Sequence, residues 1–548
     1  MRKICISVLA VLAAAMLPAM AQEHLSERVY ISTDRDVYVA GDEMFISAFC
    51  LDMSRGGLSS VSRTAYIEIV SSEGPVQTSK VALSGGRGGG VISLQNTIPT
   101  GEYRLVAYTA QCFNEDGYDF LEGARTLSII NPFTTARSAS GVEIVSDDEY
   151  AGRTAAPLPS AGSVRMDASG ALTLTNTSDL PVTLSVSVSH KDGILPPADI
   201  NAVSFAAGAT RGRSFTQRRD IDYEGEIIRA RLVGAEDLST IEGNTVYLSV
   251  PGRATDVYSS SVSPEGIAEF YTRNVNGRTD VVLDAGSVPS GVHLEIVQPF
   301  AGVSDPGLRP LPLCSGLQED IRMRSLAMQV DRAVRADTLY ARLPVPESSF
   351  FAADSVEYIL DDYTRFPLME ELFIEFITEV RARRISGGGR ELIVALRDDY
   401  RPNSVSQLPA LVLLDGVPVA DHNLILEYDP LLVERIVVYP HTCFIGGRRY
   451  PGVVSFSTYR HDLPSFPFGE SSRVVDFQGT CTPVVSWLPG SDPDLRQTLL
   501  WHPLVELAPG ETRVLDYLLP SYDGAFEAVA EGFDSSGAPQ YVRVPLSR

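Results

Sequence analysis

Short apolar runs alternating with polar residues recur along most of the chain, and Gly, Pro, Asn or Asp breaks them every few positions. Alternation of period two marks half-buried strands and the breaks mark turns, so the pattern predicts a mainly β, multidomain protein. Near the N-terminus it gives a strand from Val29, turns at 33–36 and 40–42, a strand from Glu43, a further strand over 64–70, and a turn followed by an alternating strand over 98–108. Paired strands follow at 171–175 and 182–189, then 225–233, 245–250, 268–271, 279–283 and 292–297. Residues 391–397 supply another, and the last group covers 498–503, 512–518, 525–531 and 541–546.

Helix is the minority. Ser315 and Gln318 fit a capping box, and Met323, Leu326, Ala327, Val330 and Val334 recur at helical spacing with Arg322, Arg324 and Asp331 turned away. A second helix is expected from about Leu368, with Leu372, Phe376, Ile377 and Val380 on one side. Both stripes read as packing faces.

At 548 residues the chain exceeds a single core, since domains hold roughly 100–200 residues. Arg2 and Lys3, the apolar segment 4–20 and the Ala19-Met20-Ala21 site read as a secretory signal cleaved after Ala21, with Cys5 too early for a lipoprotein cysteine. Export without a lipid anchor follows as the expectation. No later run reaches the ~18 uninterrupted apolar residues of a spanning helix. With 45 Lys plus Arg against 69 Asp plus Glu the formal charge is −24, which repels phosphate backbones and makes nucleic acid a poor partner.

Three stretches carry family resemblances. T-D-R-x-x-Y-x-x-G-D at 33–42 and P-x-G-x-Y-x-L-x-x-Y-T at 99–109 resemble the two ends of the macroglobulin-type β-sandwich of the alpha-2-macroglobulin superfamily. In that setting Asp34 and Asp42 cap turns and Tyr38 and Tyr103 pack across the sandwich. L-L-D-G-V-P-V at 413–419, D-P-x-x-V-E-R-I-x-V at 429–438 and G-R-R-Y-P-G-V-V-S-F-S-T at 447–458 resemble the plug domain of TonB-dependent outer-membrane receptors. Too little chain follows for the many strands of ~9–11 residues that a receptor barrel needs. L-L-W-H-P-L-V at 499–505, G-E-T-R-V at 510–514 and 519–533 look like a central macroglobulin domain, and P-E-G-x-A-x-F at 264–270 resembles small spacer sandwiches of cell-envelope proteins. The implied fold is a set of macroglobulin/immunoglobulin-like β-sandwiches with one α+β plug-like domain. Its expected segments are 1–21 (signal), 22–132 (macroglobulin-like sandwich), 133–215 (linker and second sandwich), 216–300 (third sandwich), 301–354 (connector and helix), 355–465 (plug-like) and 466–548 (C-terminal macroglobulin-like sandwich).

Candidate chemistry is sparse. The thioester of alpha-2-macroglobulins forms within C-x-E-Q; Cys314 and Gln318 come nearest but stand four apart with no Glu before the Gln. G-x-S-x-G and H-E-x-x-H are absent, and seven histidines stand singly at 24, 190, 293, 422, 441, 461 and 502. His441 and Cys443, two apart on a strand, share a face, as a thiolate–imidazole pair requires. Asp361, Asp362, Asp398 and Asp399 are doublets lacking the spacing of a Ca²⁺ loop. Arg381, Arg383, Arg384 and Arg390 form a basic patch that suits an acidic partner, an anionic glycan or a solvated helix end. Cys50, Cys112, Cys314, Cys443 and Cys481 remain after processing; Cys50 with Cys112 and Cys443 with Cys481 are candidate disulfides, isolated core thiols the alternative.

No catalytic, cofactor or metal residue is assigned. The expectation is a non-catalytic binding or scaffold protein of a Gram-negative envelope, periplasmic or outer-membrane-associated, whose plug-like module contacts an outer-membrane or periplasmic protein partner, with transport machinery as the resemblance implies. The alternatives are a macroglobulin-like protease-interacting protein without a thioester, and a carbohydrate-binding surface protein using Trp487, Trp501 or Tyr450.

Overall fold

A computed structural model describes residues 24–546 except 155–156, 169–170, 198–199, 253–255, 274, 287, 336–339, 343–353, 387, 398–403, 406–407, 446–447, 483 and 487–493. The signal segment, Asp398, Asp399 and Trp487 lie outside the described residues. The chain is mainly β, and it divides into two units: residues up to 221 with 301–342 and 483 onward, and residues 222–300 with 343–482.

In the first unit, Glu27–Thr33, Glu43–Asp52 and Arg87–Ser93 form one sheet, and Val37–Val39, Arg125–Ile130, Gly101–Tyr108, Thr64–Val70 and Pro75–Ala82 another. The 33–42 turn is held internally. The Asp42 carboxylate accepts the Val39 N–H at 2.8 Å, and Asp34 accepts the Phe45 N–H at 3.1 Å and the Tyr38 hydroxyl at 2.7 Å. Tyr38 and Tyr103 are fully buried.

The segments expected as separate sandwiches at 133–215 and 466–548 instead share one core. Val182–Lys191 lies between Thr498–Leu507 and Ala525–Asp534, with Pro539–Leu546 beyond, while Thr512–Leu515 pairs with Leu172–Asn176 and that strand with Val164–Asp167. Leu174, Leu184, Val186, Val505, Phe526 and Ala528 close the core. The physical reason is strand number: residues 133–215 hold too few strands to cover Val182–Lys191, whose first eight positions are all buried and therefore need neighbours on both edges.

The connector helix also departs from expectation. It runs Gln318–Val330 after a 3₁₀ turn at Ser315–Leu317. Ser315 does not cap it; its hydroxyl and the Gly316 N–H donate to Asp147, so a carboxylate from a distant segment meets the free N–H groups. Those bonds hold the Asp147 carboxyl below its ordinary range, the Gly316 N–H foremost. Arg324, expected outward, is buried against Asp192 and donates to the Val37 carbonyl at 2.8 Å, whereas Leu326 is exposed. Amphipathic spacing cannot show a buried guanidinium whose partner lies more than 100 residues away.

In the second unit, Ile267–Tyr271, Ile227–Val233 and His293–Ile296 form one sheet, and Asp256–Ser261, Thr245–Val250, Arg278–Asp284 and Ser472–Gln478 the other. Residues 472–478 fall in the segment expected as the C-terminal sandwich; Val281 opposite Val475 shows that they pair here instead. The α+β module over 355–465 has a five-stranded sheet in the order Val356–Ile359, Val433–Ile445, Arg448–Thr458, Leu411–Leu414, Val417–Pro418. The helix Met369–Glu375 packs Met369, Leu372 and Phe373 onto it with Val412, Ile436, Val454 and Phe456. This helix stops five residues short of Val380, which begins the strand Val380–Arg384. Ile377, Thr378 and Val380 are β-branched, and an apolar pattern at 376, 377 and 380 fits either period.

Candidate functional site

The module's sheet is pinned at one end by Asp415. Asp415 and Gly416 take φ of 48° and 83°, the left-handed pair that a tight hairpin between Leu411–Leu414 and Val417–Pro418 demands. The Asp415 side chain, fully buried, accepts the Thr458 N–H at 2.7 Å, the Thr458 hydroxyl at 2.6 Å and the Leu463 N–H at 3.0 Å. It thereby fixes where the strand Arg448–Thr458 ends and the 459–466 loop starts. Gly452, at φ 89°, lies where a Cβ would come within 2.6 Å of Val394, which keeps the second sheet close.

Around that pinned end the chain displays apolar side chains. Asp429 caps the turn Pro430–Leu432 by accepting the Leu431 N–H at 2.9 Å, which leaves Leu431 projecting at 55% exposure. The Arg365 guanidinium reaches the carbonyls of Pro430 at 3.1 Å and Val433 at 3.0 Å, and the Tyr459 hydroxyl donates to Asp361 at 2.8 Å. Ile359, Tyr363 and Tyr459 are exposed beside them, and Tyr363 stacks on Phe376 with centroids 4.3 Å apart. A groove of about 320 Å³, lined by Glu357, Ile359, Glu434, Arg435 and His461, opens on this face. That volume is at the lower edge of the ~300–1,000 Å³ typical of ligand sites.

The residues considered for chemistry are placed elsewhere and used otherwise. Cys443 and His441 share the strand Val433–Ile445, but Cys443 is packed with Val257, Leu411, Leu413 and Tyr450, and burial pushes its thiol up to about 11. Burial of this kind disfavours the thiolate, which is the nucleophilic form. Partial burial and the Asp147 carboxylate push the Cys314 thiol up as well, and Gln318 is exposed on the first turn of its helix. None of these five cysteines is joined in a disulfide, so neither candidate pair forms. Burial raises Cys50 well above its ordinary value and Cys112 to about 11.

Asp361 is engaged by Tyr459, and among the described residues no three His, Cys, Asp or Glu side chains gather as a metal site. The arginine patch is a β-hairpin and not a helix end: Arg383 pairs with Glu391 at 2.9 Å and Arg390 with Glu370, leaving Arg381 and Arg384 exposed. Trp501 is core, stacked on Phe45, and Tyr450 is buried with its hydroxyl 3.2 Å from that of Tyr247, so neither offers a sugar platform.

His422 is a buried group with a defined electrostatic role. Its Nδ1 accepts the Leu392 N–H at 2.8 Å, which requires that nitrogen to be unprotonated, and burial lowers its pKa below 6.5. A histidine whose folded pKa is depressed adds stability that is present above its unfolded value and lost as pH falls toward the folded one. Lowering pH from 7 to 5 is therefore expected to loosen exchange protection at Leu392, by at most ~1.4 kcal/mol per pH unit. His422→Gln, which cannot take a proton, is expected to flatten that dependence; an unchanged slope would remove His422 as its cause.

The first unit contains a polar cleft that sequence reasoning missed, lined by Asp34, Arg35, Arg125, Asp192, Arg324 and Glu531 among others, with space of about 80 Å³. That suffices for a few waters. Charged residues inside the alternating runs, Arg125 and Glu531 above all, were the available signal. No helix among the described residues is long and apolar enough to cross a membrane.

No family model matches the chain, and no curated protein matches it. Among solved structures it is similar to trypsin-activated alpha-2-macroglobulin from Escherichia coli at 8% identity, with 95% of this chain and 41% of that one covered and a TM-score of 0.23. A Salmonella alpha-2-macroglobulin mutant gives 10% identity, 97% and 40% coverage and a TM-score of 0.23. Dimeric latent PorU from Porphyromonas gingivalis gives 7%, 50% and 33%, with 0.15. The chain thus spans about two fifths of the alpha-2-macroglobulins it matches, and likenesses of this size assign no family.

Proposed function

We propose that this chain is an exported, non-catalytic binding or scaffold protein of a Gram-negative envelope, periplasmic or outer-membrane-associated. Sandwiches of macroglobulin type space and present the plug-like α+β module, and that module contacts an envelope protein partner. The observation that carries the reading is the end of the module where Ile359, Tyr363, Leu431 and Tyr459 are exposed together on a framework fixed by Asp415 and Arg365. A buried, multiply bonded framework beneath a solvent-facing apolar rim is the organisation of a recognition surface. The raised Cys314 and Cys443 thiols speak against nucleophilic chemistry at those positions.

The test places a photo-crosslinking residue at Leu431 or, separately, at exposed Phe133 or Val514 of the first unit, in the full chain in envelope preparations. Protein adducts from position 431 are expected. Adducts arising only from 133 or 514 would refute the assignment of contact to the module.

A further inference from the structure

We infer that the groove beside the strand Val356–Ile359 receives an extended, cationic segment of a partner protein, alternating Lys or Arg with apolar side chains. The inference rests on the reading that the module carries the contact, and adds the partner's chemistry.

Three observations converge on it. Among the described residues Val356–Ile359 is an outer strand of its sheet, paired on one side with Val433–Ile445, so its other edge is the place where an extended backbone adds. The opposite end of the same sheet is closed by the two-residue strand Val417–Pro418, whose proline lacks an N–H to offer. Alternation then sorts the side chains. Tyr358 points into the core, while Glu357 and Ile359 face the groove with Glu434 and Arg435. An incoming strand has the same period of two, so one of its faces meets Glu357 and Ile359.

Charge decides the sign of the partner. Arg435 is engaged by Glu357 at 3.0 Å, Arg365 by backbone carbonyls with Asp361 at 3.7 Å, and Arg460 by Asp462 at 2.7 Å. Glu357, Asp361, Asp362, Glu434 and Asp462 therefore outnumber the three arginines, and Asp362 and Glu434 form no ion pair among the described residues. An acidic segment would meet that excess directly; a cationic one neutralises it and is drawn in by the chain's net −24.

The experiment measures fluorescence anisotropy of a labelled peptide alternating lysine and valine, and of its glutamate–valine counterpart, against the full chain. The Lys–Val peptide is expected to bind at least ~10-fold more tightly than Glu–Val. Glu434→Lys and Ile359→Ser are each expected to weaken Lys–Val binding by roughly 5- to 30-fold without shifting the unfolding temperature. Asp179→Lys, at an exposed site of the first unit, is expected to leave it unchanged. Absence of Lys–Val binding, an equal loss from Asp179→Lys, or full affinity in both groove variants would overturn the inference. If that happens while adducts still form from position 431, the groove assignment fails and the module reading stands; adducts only from 133 or 514 sink the reading itself.

Discussion

Asp415→Ala is expected to destabilise the α+β module by about 3–5 kcal/mol, read as lost protection in hydrogen exchange over residues 408–465. The substitution leaves the Thr458 and Leu463 N–H groups without their acceptor, at ~1–3 kcal/mol for each buried donor. It also forces an alanine into φ 48°, which adds ~1 kcal/mol. Asp415→Asn separates the two contributions. Asparagine tolerates the left-handed conformation and keeps one oxygen, but turns an amide N–H₂ toward donors, so its cost is expected near ~2 kcal/mol. A loss below ~1 kcal/mol in the alanine variant would show that the carboxylate does not hold the strand end. Because Leu431 and Tyr459 stand on that framework, the same variant is expected to weaken partner adducts from position 431.

Asp415 also shows how much of the module was legible in sequence. Asp-Gly between two apolar runs announces a hairpin turn, and the D-P pair announces the cap that projects Leu431; both follow from local chemistry. That the Asp415 side chain reaches Thr458 and Leu463, more than 40 residues on, has no local trace. The same limit explains the misplaced strands. Val182–Lys191 and Ser472–Gln478 are readable as strands from alternation, yet pairing with Ala525–Asp534 and Arg278–Asp284 is set by which edges need covering, a property of the assembled sheets. The third sandwich was legible almost strand for strand because most of its partners are near in sequence. Its remaining strand, Asp256–Ser261, was missed because three serines blunt the apolar alternation.

A long-range link in the first unit leads to the other large effect. Arg125 donates to Asp36 at 2.8 Å, to the Tyr30 hydroxyl at 2.6 Å and to Glu531 at 3.0 Å, and Tyr30 donates to Glu531 at 2.6 Å. Arg125 and Glu531 are both buried. Arg125→Met is expected to cost about 3–5 kcal/mol, because it strands the Glu531 carboxylate away from water without a counter-charge. The double variant Arg125→Met with Glu531→Leu is expected to recover much of that loss, since a buried ion pair replaced by apolar groups of similar volume is close to neutral. Tyr30 then loses its acceptor and retains ~1–3 kcal/mol of the penalty. Arg278→Met, which breaks an exposed pair with Asp476, is expected to leave stability unchanged, because solvent screens that pair. Urea unfolding of these three variants, of the single Glu531→Leu variant and of the parent measures all of this. If the double variant falls as far as the sum of its singles, the pair is not coupled, and the joining of residues 27–130 to the C-terminal strands must rest on apolar contacts such as Tyr30 and Phe49 with Phe533.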